Sequence, residues 1–381
     1  MSTSLSDWFG TQDPLEFLGV GWAGTPARLP ANAKVIPSAL LDIDAIDEIL
    51  TTRLLRYPDF RLIRAGNVID IASYVRREVD EFHVVNLIPD YDAIYGLLDQ
   101  GATLVLRSVH RYWQPVRELC REIERLIGTP APCTAFYTPG SSTGLPVHQD
   151  SYEGLVLQTV GSKAWRIYQP GGTDPVRLTL EPGDILYIPS QYPHQATAQD
   201  EATVHVTYTI TAPTWRDVLA DMLRVAASPR TGLDSLVPFA STADGFADVR
   251  SALHAWVQEL DGANVRSWLR ANRPATALPS GAPRIGGVGM AERIEDDTGV
   301  RWQSDVIQRI EEDGDVLRIG LADRHIDMPS RLAPAIDRLQ TGDGIRVVAL
   351  ADLLDDASRR VLVKRLVREG ILVIDDEAED G

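Results

Sequence analysis

The chain is poor in cysteine, in basic residues and in long apolar runs, and each shortage narrows what it can be. Only two cysteines, Cys120 and Cys133, occur in 381 residues. That excludes a disulfide framework and any Cys-x-x-Cys metal or redox motif. Lys and Arg number 37 against 54 Asp and Glu, a formal charge of −17. Sequence-independent binding of DNA or RNA needs clustered cations to neutralise phosphates, so no direct nucleic-acid binding is expected. An acidic surface steers a basic partner towards it or serves solubility alone. No run approaches the roughly 18 apolar residues of a membrane span. The opening MSTSLSDWFG lacks a basic region followed by an apolar stretch. No signal peptide is read there, and the cytoplasm is the expected compartment.

What remains is the composition of a folded protein, 44% hydrophobic and 24% charged, long enough for two or three domains. No internal repeat is visible, and the acidic tail Asp375 to Asp380 is the one biased tract. Residues 1–130 read as mixed α/β. Trp113 to Ile127 carries apolar residues at helical spacing and stops at Gly128-Thr129-Pro130. From about Cys133 to Thr211 short apolar strands alternate with turns: 154–160, 164–169, 176–180, 184–189 and the strictly alternating 203–210. Such spacing predicts a sandwich or barrel. Residues 213–273 turn helical again, 274–289 are rich in Pro, Gly and Ala, and the remainder alternates strands (VLRIGL, RHIDMP, IRVVAL, ILVID) with a long helix from Ala351 to Gly370.

The chemistry concentrates in PVHQDSYEGLVLQTVGSKAW and, some thirty residues on, EPGDILYIPSQYPHQA. On a strand, positions two apart share a face, so His148 and Asp150 can present an imidazole and a carboxylate to one ion. His194, after the Glu181-Pro182-Gly183-Asp184 turn and an apolar strand, can return to the same ion. Two His and one carboxylate leave open positions on an octahedral metal, the donor set of non-haem iron(II) oxygenases. An isolated His-x-Asp is an ordinary turn. Here Lys163, in an otherwise apolar barrel segment, adds to it: a buried lysine is costly unless it meets an anion. Strand 203–210 places His205, Thr207 and Thr209 on one face, either around the site or towards solvent. Ser141, Ser142 and Thr143 are read as a polar turn with the option of touching a ligand. Trp165 is read as core. His83, His110, His254 and His325 lack ligand spacing and are read as structural or surface residues.

These linked motifs, with GATLVLRSVHRYWQPV, FYTPGSSTGLPVHQD and HVTYTI in order around them, resemble the catalytic domain of the JmjC family, and most nearly its ribosomal-oxygenase branch. The resemblance implies iron(II) held by His148, Asp150 and His194, with 2-oxoglutarate as cosubstrate. It places Lys163 on the distal carboxylate of that cosubstrate and Tyr137 in the lining of the site; His205 and Thr207, from the polar face of strand 203–210, are read as further cosubstrate contacts. It implies a fold of class α+β: a double-stranded β-helix (cupin or jelly-roll) barrel with flanking helices, a helical dimerisation segment and a C-terminal winged-helix domain. The corresponding boundaries are 1–212 for the catalytic domain with its N-terminal α/β extension, 213–275 for the dimerisation region, 276–289 for a linker and 290–381 for the winged helix. From Arg284 onward 22 Asp and Glu face 14 Lys and Arg, so that winged helix is not read as a DNA reader.

The resemblance further implies hydroxylation of a peptidyl side chain, arginine or histidine in a basic ribosomal protein, by a homodimer. Two departures stand out. Ala135 occupies a position where the branch often has Asn, and the loop from Tyr137 to His148 reads one residue short. The first keeps open a dedicated natural-product precursor peptide as substrate. Demethylation of methyl-lysine lacks an aromatic cage. A silent, scaffold-type cupin would be expected to have lost a metal ligand, and a cupin without 2-oxoglutarate leaves Lys163 unexplained.

Overall fold

The computed structural model describes residues 4–22, 24–79, 84–127, 129–211, 214–226, 250–251, 253–258, 260, 262, 289, 291–303, 307–321, 324–340 and 344–375. The chain divides into two compact units, Met1–Ala212 and Pro213–Gly381.

In the first unit the strands are β1 (Ala27–Leu29), β2 (Phe60–Arg64), β3 (Asn67–Val68), β4 (Val75–Val79), β5 (Val84–Pro89), β6 (Thr103–Leu106) and β7 (Cys133–Thr138). They continue with β8 (Glu153–Val160), β9 (Lys163–Tyr168), β10 (Pro175–Leu180), β11 (Ile185–Ile188), β12 (His194–Ala198) and β13 (Thr203–Ile210). Eight of them form one antiparallel sheet in the order β1-β11-β8-β13-β7-β6-β2-β3, and three form a second, β10-β9-β12. Val156, Leu186 and Ile188 of the large sheet pack with Trp165, Ile167 and Leu180 of the small one. The two sheets therefore face each other, the jelly-roll arrangement that short strands at even spacing predict.

Strand β13 shows why this sequence makes a layered barrel. Its period of two sends Val204, Val206, Tyr208 and Ile210 to one face, each wholly buried. That face meets the helix Gln114–Ile127, which buries Val116, Leu119, Cys120 and Ile123 on one stripe, and the Tyr208 hydroxyl donates to the Val116 carbonyl at 3.4 Å. Each such side chain removed from water contributes about 1.5–3 kcal/mol. The opposite face of β13 carries His205, Thr207 and Thr209 and looks into the barrel.

The β8–β9 turn is tight. Gly161 has φ +61°, and a Cβ there would overlap the carbonyl oxygen of Ala202, so glycine is required. The turn delivers Lys163 as the first residue of β9, one residue ahead of the expected strand 164–169.

In the second unit, Gly299–Trp302 pairs with Leu372–Ile374 and with Ile345–Arg346, while Ile307–Asp313, Val316–Leu321 and His325–Pro329 form a meander. A core of Ile319, Ile336, Val363, Leu366 and neighbours joins them to the helices Ala333–Gln340 and Asp356–Glu369. Two expectations shift here. IRVVAL forms a two-residue strand followed by a 3-10 turn at Val347–Leu350. The last helix begins at Asp356 instead of Ala351, because the Asp355 carboxylate caps the Ser358 N–H. It ends at Gly370 in the left-handed conformation, as its sequence predicts. Of the expected dimerisation region, the helix Trp215–Ala226 and a helical stretch within 250–258 are described. Most of the remainder, with all but one residue of the linker 276–289, lies outside the described residues.

Candidate metal centre

Between the two sheets lies a cavity of about 640 Å³, lined by residues of β2, β6, β7, β8, β9, β12 and β13 and by the segment 144–152. Among the described residues one group of His, Cys, Asp or Glu has metal-ligand geometry. It is His148, Asp150 and His194, with one donor atom of each within 4.8 Å of the others.

The backbone, more than a strand face, brings them together. His148 lies outside any regular strand and forms a lone antiparallel bridge with His194. The bridge is reciprocal: the His148 N–H donates to the His194 carbonyl at 3.1 Å and the His194 N–H to the His148 carbonyl at 2.7 Å. Asp150, two residues on in an irregular segment, accepts at its carbonyl from the Gln191 N–H at 2.7 Å. The expectation that His148 and Asp150 share a strand face is thus corrected. Two backbone straps to the loop before β12 do the positioning.

The imidazoles are also oriented. Nδ1 of His148 lies 2.9 Å from the Pro146 carbonyl and Nδ1 of His194 lies 2.9 Å from the Tyr192 carbonyl. A carbonyl only accepts, so each ring carries its proton on Nδ1 and turns Nε2 to the site. The His194 Nε2 is 3.6 Å from the Asp150 carboxylate. Burial, foremost, lowers the His194 pKa and keeps the ring neutral. Two Nε2 lone pairs and a carboxylate around one point fit a divalent transition metal.

Tyr152 stands behind Asp150. Burial, foremost, together with the neighbouring Asp150 carboxylate pushes its hydroxyl pKa up to about 12. Tyr152 lines the cavity. The sequence reading passes over it, although an aromatic two residues after the carboxylate is a visible signal.

Further into the cavity, Lys163 is 2% exposed. Its Nζ donates to the Thr138 hydroxyl at 2.9 Å and lies 3.3 Å from Nδ1 of His205. Thr103 in turn donates to Thr138 at 3.2 Å. Burial pulls the Lys163 pKa down to about 7. Burial first, and then Lys163, lower that of His205, which stays neutral. Among the described residues no carboxylate is paired with this ammonium. Its two partners are neutral, and a third N–H remains for an anion. His205 is also stacked on Phe136, with centroids 4.7 Å apart and planes 3° off parallel.

Of the residues singled out from sequence, His148, Asp150, His194, Lys163, His205 and Thr207 all line the cavity. Tyr137 does not. Strand β7 alternates, turning Thr134, Phe136 and Thr138 inward. Tyr137, paired with the outward Val204, therefore points away, and the aromatic ring at the site is that of Phe136. The same alternation buries Ala135 on the outer face, so the Asn-to-Ala departure removes nothing from the cavity. Ser141, Ser142 and Thr143 form the turn, with Thr143 bridged to Thr197. Trp165 is 4% exposed and belongs to the core, yet it also walls the cavity 6.1 Å from the His194 ring. His110 is structural: buried, held neutral with a pKa near 4, and accepting the Cys133 N–H at 3.0 Å. His254 and His325 are exposed, and His83 lies outside the described residues.

Comparison with known proteins points the same way. Residues 109–178 and 172–218 match the JmjC domain. The chain is 28% identical over 228 residues to the bifunctional lysine-specific demethylase and histidyl-hydroxylase NO66 of Culex quinquefasciatus, covering 54% of this chain and 33% of that protein. It is 30% identical over 200 residues to ribosomal oxygenase 1 of Rattus norvegicus, covering 45% and 32%. The matched stretch thus spans about a third of the length of these curated relatives. The fold is similar along almost its whole length to the crystal structure of the Escherichia coli ribosomal oxygenase YcfD, with a TM-score of 0.56, 18% identity and coverage of 98% of this chain and 100% of that one. A YcfD structure in complex with cobalt and 2-oxoglutarate is similar at a TM-score of 0.55, with 18% identity and coverage of 96% and 99%.

Proposed function

From the match of residues 109–178 and 172–218 to the JmjC domain, we propose that this chain is an iron(II)- and 2-oxoglutarate-dependent hydroxylase of a peptidyl side chain. One observation carries the reading: a ready tridentate donor set and a buried ammonium with no counterion among the described residues share one cavity. His148, Asp150 and His194 hold the metal by Nε2, carboxylate and Nε2. Lys163, with Thr138, holds the far carboxylate of 2-oxoglutarate, while neutral His205 accepts from the ammonium and steadies it. With both groups bound, the metal supplies oxygen activation: one substrate C–H, dioxygen and 2-oxoglutarate become C–OH, succinate and carbon dioxide.

The protein's part is placement and dryness. Tyr152 stands beside the Asp150 carboxylate, the two Nδ1–H bonds fix the imidazoles, and Trp165, Phe136 and Val156 keep the walls apolar. The relatives named as ribosomal oxygenases support a ribosomal protein as substrate. The precursor-peptide alternative loses its ground, since Ala135 faces away from the cavity. With all three donors in place, a silent scaffold has no feature in its favour. By the same likeness we read 213–275 as a dimerisation segment and 290–381 as a winged helix, and no helix among the described residues is long and apolar enough to cross a membrane.

The test is mass spectrometry of ribosomal proteins from a strain lacking the gene, treated with the protein, iron(II) and 2-oxoglutarate. A peptide that gains one oxygen only when 2-oxoglutarate is present is the expected result. Failure of the iron-loaded protein to bind 2-oxoglutarate or to form succinate from it would refute the reading.

A further inference from the structure

The charges in the cavity wall do not suit a guanidinium substrate. Among the described lining residues the one carboxylate is Asp150, which is committed to the metal. Against it stand Lys163, Arg61 and Arg107. Lys163 has its role in the 2-oxoglutarate subsite, and the two arginines have none assigned.

Their positions follow from strand pairing. Arg61 on β2 lies opposite Val105 on β6, and the Arg107 N–H donates to the Asp59 carbonyl at 2.7 Å, continuing the ladder by one more pair. Arg61 and Arg107 are thus diagonal neighbours on the face turned to the cavity. At such a spacing long side chains interact, and like charges repel. Neither guanidinium has an ion pair or a side-chain hydrogen bond among the described residues, and the Arg61 Nε is enclosed without any partner. Arg61 also lies within electrostatic range of the Tyr152 hydroxyl, two residues from Asp150, so Arg61 reaches towards the metal end of the cavity. Two cations side by side without an ion pair among the described residues, although Asp59 stands opposite Arg107 in the ladder, make a seat for an anion.

We propose that the side chain taken into this cavity for hydroxylation is a carboxylate, aspartate or glutamate, clasped by Arg61 and Arg107. The proposal rests on the oxygenase reading above and narrows its substrate class. The arginines hold the carboxylate and so present a neighbouring carbon to the metal, whereas a cationic side chain meets like charge.

The test uses the full chain loaded with cobalt(II) and 2-oxoglutarate, its visible absorption titrated with the N-acetyl amides of aspartate, glutamate, asparagine, arginine and leucine. The aspartate or glutamate probe should perturb the spectrum at a concentration about tenfold or more below that needed for arginine, asparagine or leucine, the scale of one charge-complementary contact. Arg61→Gln and, independently, the exposed Arg107→Glu should erase that preference. An arginine or asparagine probe as effective as the carboxylates would overturn the proposal, as would carboxylate probes that leave the spectrum unchanged. Weaker binding of 2-oxoglutarate itself in Arg61→Gln would also overturn it, by making Arg61 a cosubstrate residue. If 2-oxoglutarate does not alter the cobalt spectrum of the unmutated protein, it is the oxygenase reading that fails.

Discussion

Lys163 and His205 meet deep in the cavity, Nζ to Nδ1 at 3.3 Å, and both side chains are almost fully shielded from solvent. An ammonium whose close partners are an imidazole and a hydroxyl is held at a solvation cost that only an arriving anion offsets.

Replacing Lys163 by Met should therefore separate binding from stability. Losing a charge-assisted contact of about 1.5–3 kcal/mol raises the apparent KM for 2-oxoglutarate by roughly 10- to 150-fold. Thermal unfolding without cosubstrate should show a Tm equal to or above that of the unmutated protein, since a buried charge has been removed. Unchanged 2-oxoglutarate kinetics would exclude Lys163 from the subsite.

The same residue sets a pH dependence. Burial lowers the Lys163 pKa from the ordinary 10.5 to about 7, and a bound carboxylate raises it again. Binding of 2-oxoglutarate then takes up a proton above pH 7, so its affinity falls as pH rises, approaching about tenfold per unit. Stability of the cosubstrate-free protein runs the other way. Between pH 7 and 10.5 the unfolded chain binds the proton that the folded one has lost, so this contribution grows with rising pH and is lost as pH falls towards 7. Calorimetric titration in buffers of differing ionisation enthalpy reads the proton uptake, and none at pH 8 would contradict it.

Metal content should follow the triad. His148→Ala and Asp150→Ala should each lose stoichiometric iron(II) or cobalt(II) on dialysis and, with it, succinate formation, while circular dichroism remains that of the folded chain. Retention of metal by both variants would move the centre elsewhere.

Tyr152→Phe tests the support behind Asp150. Removing the hydroxyl beside the carboxylate should weaken metal affinity by roughly 10- to 100-fold, the usual cost of removing a group that orients a ligand. Competition with a chelator of known affinity measures it, and an unchanged affinity would make Tyr152 a mere wall residue.

How far the sequence carries is visible at individual residues. Strand β13 is legible to its ends because period-two alternation runs unbroken from Thr203 to Ile210. His148, Asp150 and His194 are legible because their donor types cluster in motifs. Tyr137 is misplaced because a one-residue difference in a strand exchanges its two faces, and only pairing with β13 and β6 shows that Phe136 is the inward ring. Arg61 and Arg107 are invisible for another reason. They reach the site through the β2–β6 ladder: Arg107 stands in the motif GATLVLRSVHRYWQPV with nothing in its spacing to mark it as facing the metal ligands, and FRLIR by itself reads as any half-buried strand.

The reciprocal bridge between His148 and His194 has a consequence for how the protein meets its ion. Because backbone hydrogen bonds set the ligand spacing before any metal arrives, loading and stripping proceed on a folded chain and call for no refolding. A claw built in advance also has little means of refusing a competitor: zinc, nickel and copper bind such donors at least as tightly as iron(II). Which ion occupies the claw is then decided by the supply of free metal around it, and an inactive, zinc-filled population is the form to look for when iron runs short.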